Sequence, residues 1–218
     1  EAQLEASRRV DTETDAVALP RSGWVFELKF GPYYPDVDSE SMLRNKPFET
    51  TFGPKENFLT QVEIDRFFLW PFGQLGVAAQ AGYMQDTARS FMQDANGAAT
   101  DTRSSEKTKF RLLPTSLSLV YRMTEIADRS VFPVVPYGKL GLAYYVWWIT
   151  APNGDFASSC MGPNTAPDTC QTTSGAGASL GVVGSVGLSI RAERIDESAA
   201  RSMREGGIEH AGFYAEYS

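Results

Sequence analysis

Histidine is nearly absent. His210 is the only one in 218 residues. The nearest serines in sequence, Ser189 and Ser202, form no recognisable nucleophile motif with it. Hydrolase or acyltransferase chemistry built on a Ser–His pair therefore has no readable partner set, and the chain is not expected to be an enzyme. Cysteine is as scarce: Cys160 and Cys170 are the only two, and they flank the turn-rich stretch MGPNTAPDT. Two thiols at short spacing inside a loop predict a disulfide and an oxidising compartment. A pair of thiolates with no further Cys or His nearby leaves zinc under-ligated, so no metal and no cofactor is expected. Positive charge is also thin, with 20 Lys and Arg against 27 Asp and Glu. The one basic pair, Arg8–Arg9, is followed at once by Asp11, Glu13 and Asp15. Phosphate binding needs clustered cations, so this balance excludes a nucleic-acid partner.

Long apolar runs are missing too. The longest uncharged stretch, QTTSGAGASLGVVGSVGLSI at 171–190, is about long enough for a helix to cross a bilayer. It even holds a Gly177/Gly181 pair at GxxxG spacing. Gly, Ser, Ala and Thr dominate it, however, and a spanning helix needs far more apolar residues.

What the chain does have is alternation. In WVFELKF, Trp24, Phe26, Leu28 and Phe30 fall on one face, Glu27 and Lys29 on the other. That period of two is a strand signal. Six more segments repeat it: Val62, Ile64 and Phe68 opposite Glu63 and Asp65; then Leu75, Val77 and Tyr83; Leu113, Leu117 and Leu119 opposite Arg122; Leu140, Leu142 and Val146 opposite Lys139; Leu180, Val182 and Val186 opposite Arg191; and Phe213 and Tyr217 opposite Glu216. Seven strands of about ten residues match the length that crosses a membrane. Residues 1–22 are polar and aperiodic, and are expected to form a flexible periplasmic tail ahead of a barrel domain at 23–218. The segment ERIDESAARSMR, 193–204, ends before Gly206–Gly207 and predicts one short periplasmic helix between strands six and seven.

The connections alternate between tight and long, as in outer-membrane barrels. Aromatic residues gather at strand ends: Trp24, Trp70 and Phe72 on the tight-turn side; Tyr33, Tyr34, Tyr83, Phe110, Trp147, Trp148 and Tyr217 on the long-loop side. Such rings settle at lipid headgroups. The expected fold is therefore an all-β, transmembrane, antiparallel up-and-down β-barrel in the bacterial outer membrane, with its signal peptide already removed. Bacterial barrels have even strand numbers. Eight strands are expected, with the last missing from this chain. Glu27, Lys29, Glu63, Asp65, Arg122, Lys139, Arg191 and Glu216 would face the lumen as a polar network. Eight strands leave a lumen just wide enough for side chains to fill. Asp36, Asp38 and Glu40 in PYYPDVDSE alternate, but lack the spacing of a calcium loop.

The segment ELKFGPYYPDVDSE, followed by KPFETTFG, VEIDRFF and FGQLGVAAQAGYMQ, resembles a family of outer-membrane β-barrel proteins abundant in myxobacteria. The resemblance runs from about residue 24 to the end and is strongest before Gln85. Its most specific part is Gly31-Pro32-Tyr33, Pro35 and Asp38, with Phe52-Gly53 later. It implies a barrel that ends in a further strand and membership of multi-protein envelope assemblies, gliding-motility machinery among them. It brings no catalytic residues. The expected role is a structural or docking subunit whose partners are outer-membrane lipid and other envelope proteins. A small-solute channel and a lipid-modifying enzyme are the alternatives.

Overall fold

The computed structural model describes residues 23–39, 47–69, 73–93, 99–129, 133–161, 171–192, 197–208 and 211–218. Seven strands make one antiparallel sheet in the order β1-β2-β3-β4-β5-β8-β9. They are β1 (Trp24–Tyr33), β2 (Asn57–Leu69), β3 (Gln74–Gln93), β4 (Ala99–Arg122), β5 (Val134–Thr150), β8 (Ala176–Arg191) and β9 (Gly212–Tyr217). A small hairpin of β6 (Ser158–Met161) and β7 (Gln171–Ser174) lies between β5 and β8. The sheet curls until its two edges meet through side chains. Lys29 of β1 lies 2.9 Å from Glu216 of β9, and the Tyr214 hydroxyl donates to the Leu28 carbonyl at 2.9 Å.

The alternation read from sequence sorts as expected, with the apolar set outward. Phe26 and Val182 are about three-quarters exposed, at 75% and 76%. Leu28, Phe30, Val62, Ile64, Leu117, Leu119, Leu140, Leu142, Leu180 and Val186 are also exposed. The opposite parity carries Lys29, Glu63, Asp65 and Lys139 into the interior. No described helix is long and apolar enough to cross a membrane.

Glycine in β8 serves packing. Gly177 and Gly187 lie opposite Trp147 and Tyr137 of β5. A Cβ on either glycine would meet the facing ring at 2.7 or 2.5 Å. The stretch that looks like a weak spanning helix is therefore a strand whose bare inward positions make room for β5 aromatics.

Among the described residues three short α-helices join the strands: α1 (Pro47–Phe52), α2 (Thr124–Arg129) and α3 (Glu197–Glu205). The expected helix at 193–204 is found as α3, starting at Glu197. Its end is set by Gly207, whose φ of 79° suits the left-handed cap position. The Gly207 and Ile208 amides donate back to Arg204 and Met203 carbonyls at 3.0 and 2.9 Å. The connection from strand three to strand four, a long one by the alternation of tight and long, is instead mostly strand. Beyond the Thr60↔Tyr83 pair β3 has no β2 partner, and β4 meets β5 only from Lys109 onward. The remainder of both strands pair with each other as a two-stranded ribbon. At about 3.3 Å per residue it extends on the order of 25 Å past the sheet.

Candidate functional site

The interior has two layers of different chemistry. The middle layer is a lattice of ion pairs drawn from five strands. Lys29 Nζ contacts Glu63 at 2.8 Å, Glu216 at 2.9 Å and Gln80 Oε1 at 3.3 Å. Lys139 Nζ reaches Glu27 at 3.2 Å and Glu216 at 3.3 Å, and also pairs with Glu63. Arg122 pairs with Asp65 at 3.0 Å and with Glu27. The Tyr137 hydroxyl donates to Glu216 at 3.0 Å, while its ring lies 5.0 Å from the Lys139 ammonium and 5.6 Å from the Arg122 guanidinium. Next to Arg122 lies a small buried apolar cluster of Phe67, Ala78 and Val120.

The strand pattern explains this convergence. Inward positions two apart on β1 and β2 face each other by register, Glu27 opposite Glu63 and Lys29 opposite Gln61. The curl then brings β5 and β9 to the same level. Seven of the eight residues expected in the lumen meet here: Glu27, Lys29, Glu63, Asp65, Arg122, Lys139 and Glu216. Arg191 has the same inward parity at the end of β8, opposite Gly212, and is half-buried. Gln80 and Tyr137 belong to the lattice and were not singled out from sequence. Both sit on inward parity, which was the available signal. One oxygen each of Glu27, Glu63 and Asp65 lies within 4.8 Å of the others, a spacing a divalent ion could use. Arg122, Lys139 and Lys29 pair with these carboxylates, while the buried Asp65 Oδ1 has no hydrogen-bond partner.

The second layer fills the long-loop end and is apolar. Phe48, Phe52, Leu59, Met84, Phe110 and Leu112 form a buried cluster, with Tyr33, Val37, Tyr145, Trp147 and Ile149 packed against it. Phe48 and Phe52 come from α1, which the β1–β2 connection folds in against β3 and β4. Phe48 meets Phe110 edge-on at 4.8 Å, and Trp147 stacks on Phe110 at 6.4 Å. Asp38 caps α1, accepting from the Phe48 and Glu49 amides at 3.0 and 2.8 Å. Arg103, from the ribbon, closes the other end of α1 by donating to the Thr50 and Thr51 carbonyls at 2.7 and 2.9 Å. The Asp38 carboxylate thus serves as a helix cap.

The aromatic belt needs correction here. Trp24, Tyr83 and Tyr217 are exposed on the outward face, and Trp148 shares that parity on β5. Trp147, Phe110 and Tyr33 point the other way, into the apolar layer. The parity of β5 explains it: with Leu140, Leu142 and Tyr144 outward, Trp147 must turn inward. Trp70 and Phe72 lie outside the described residues, as does His210. So does the expected disulfide, since Cys170 is not described and Cys160 is placed only as backbone opposite Thr172.

Comparison with known proteins returns no match among family models, curated proteins or solved structures.

Proposed function

We propose that this chain is an outer-membrane β-barrel subunit with an ion-paired interior, serving as a structural or docking element of a multi-protein envelope assembly. One observation carries the reading: charged side chains are buried in the lumen while large apolar side chains cover the outside. A soluble monomer does not tolerate an apolar surface of that extent. Lipid does, and it makes the outward set the membrane-facing belt. The interior argues for structure over transport. The ion-pair lattice occupies the middle of the lumen, and α1 with its aromatic cluster occupies the long-loop end. The loops, the β3–β4 ribbon and the strand edges are surfaces that suit protein partners. The resemblance to the myxobacterial barrel family, which runs from about residue 24 to the end and is strongest before Gln85, makes gliding-motility machinery the first assembly to test.

The test is affinity purification of the tagged protein from envelopes in mild detergent, with quantitative mass spectrometry. Stoichiometric envelope partners are the expected result. A barrel recovered alone in repeated preparations would overturn the docking role. Planar-bilayer recordings of the purified protein are expected to show no steady conductance, and a reproducible open level would favour the channel.

A further inference from the structure

The outward face of β4 changes character at one point. Leu119, Leu117 and Leu113 are exposed apolar residues. Past them, towards the ribbon, the same parity carries Arg111, Lys109 and Lys107. At about 3.3 Å per residue, the run from Tyr121 to Arg111 covers about 33 Å of strand. At a barrel tilt of about 40° that is about 25 Å along the membrane normal, the height of a lipid-facing apolar band. Arg111 therefore stands at the long-loop edge of the band, with Lys109 and Lys107 beyond it. Aromatic residues mark the same level. Trp148 of β5 is the register partner of Arg111, and Tyr83 is exposed on β3 alongside.

The neighbouring strand adds a further cation. Arg89 of β3 pairs directly with Lys107 in register, and both are exposed. Like charges directly opposite each other destabilise a ladder, and an anion held between them removes that cost. Among the described residues no carboxylate pairs with these cations. Asp86 turns inward, to Lys55, and Glu106 has the opposite parity, that of Phe110. Arg111 is held by neutral oxygens, donating from Nε to Gln85 at 3.0 Å and from Nη1 to Thr150 at 3.2 Å. In a chain with 20 Lys and Arg against 27 Asp and Glu, this sector reverses the overall sign. At the same rim β1 presents Pro32, β2 presents Phe58, and β8 presents Ala176 and Ala178.

We propose that the outward face of β3 and β4 at the base of the ribbon, built by Arg89, Lys107, Lys109 and Arg111, binds the phosphorylated headgroup of an outer-leaflet lipid. This rests on the outer-membrane reading above and is independent of the docking role. Arginine offers phosphate a planar fork of donors and lysine a point charge. The acyl chains of the same lipid lie along Leu113 and Leu117, directly below. An acidic protein segment would use the cations alone, whereas a phosphorylated lipid uses both the cations and the apolar face beneath them.

The test titrates the purified protein in mild detergent with bisphosphorylated lipid A or with fully dephosphorylated lipid A, and counts bound lipid by native mass spectrometry. The phosphorylated form is expected to bind the unaltered protein at least about tenfold more tightly, since each cation near a charged lipid surface contributes to attraction. Combining Arg89→Gln, Lys107→Gln and Lys109→Gln should abolish that preference. Combining Arg66→Gln, Arg201→Gln and Arg204→Gln removes the same charge elsewhere and should leave it intact. Inorganic phosphate at matched phosphate concentration should not displace the lipid. Equal binding of the two lipids, an equal loss in the second variant, or displacement by inorganic phosphate would overturn the proposal. So would unchanged lipid binding in the first variant together with loss of co-purifying envelope proteins, which would make the patch a protein-docking surface. Insertion of the unaltered protein into phosphatidylcholine vesicles separates the two readings. A protein that inserts but shows no phosphate preference sinks this site alone, and one that does not insert sinks the membrane reading with it.

Discussion

The two interior layers reach closure by different means. The middle layer uses seven charged side chains carried by β1, β2, β4, β5 and β9. Each sits on a regular strand position, so its place is fixed by register. The outer layer uses large rings, two of which arrive on α1, a helix of only six residues. A helix that short is not stable alone, so its place depends on Asp38, Arg103 and the rings it meets. The lattice is thus bound to the sheet's geometry, while the apolar plug is a loop held in position. Breaking the first should damage the barrel as a whole, whereas breaking the second should loosen one end.

The largest effect is expected from Lys139→Met. It leaves Glu27, Glu63 and Glu216 short of a cation in a buried site. Removing one partner of a buried ionic group costs about 3–5 kcal/mol. Urea unfolding in lipid vesicles should show that loss, and adding Glu63→Gln should restore part of it. A loss below about 1 kcal/mol would mean that water, not Lys139, solvates these carboxylates. Next in size is Phe110→Ala, which removes a fully buried ring from the centre of the plug. Such truncations cost about 3–5 kcal/mol, and the low end is expected because α1 can settle inward. The contrast sharpens with hydrogen exchange: Phe110→Ala should expose α1 and β3 amides near Met84 and leave those near Glu63 protected. Uniform deprotection would mean the layers are one cooperative unit. On the outside, Leu142→Arg puts a charge at the middle of β5 on the exposed apolar face. At the bilayer midplane that costs about 2–4 kcal/mol. The loss should appear in vesicles, and an unchanged midpoint there would argue that this face does not meet lipid.

The same contrast explains what could be read from sequence. The lattice was legible because a charge between two apolar neighbours, as at Glu27, Lys29 and Lys139, declares its face. The plug was not, because a ring gives no such sign. Trp147 sits near the end of β5 and Phe110 where the ribbon leaves the sheet, levels at which a headgroup belt and an interior cluster call for the same residues. Only the parity of the whole strand separates them. Helix α1 was hidden for a related reason: PFETTF is too short to signal a helix, and its Phe48 and Phe52 at i, i+4 acquire meaning only once Phe110 lies beneath them. The β3–β4 ribbon escaped because its polar residues show little contrast from one face to the other, and alternation vanishes without contrast.

The smallest expected effect separates the plug from the barrel most cleanly. Asp38 lies outside both layers, and its carboxylate only receives the first amides of α1. Asp38→Ala should cost about 1 kcal/mol, the usual loss for a helix cap. Because the lattice is untouched, global unfolding in urea should barely move. The loss should be local: amide exchange at Phe48 and Glu49 should rise about fivefold to tenfold, since about 1.4 kcal/mol is a factor of ten. Asp38→Asn, which keeps one accepting oxygen, should fall between. If Asp38→Ala instead lowers the global midpoint as much as Phe110→Ala does, then α1 is not a separately held plug. The barrel would then need its long-loop end closed in order to fold at all.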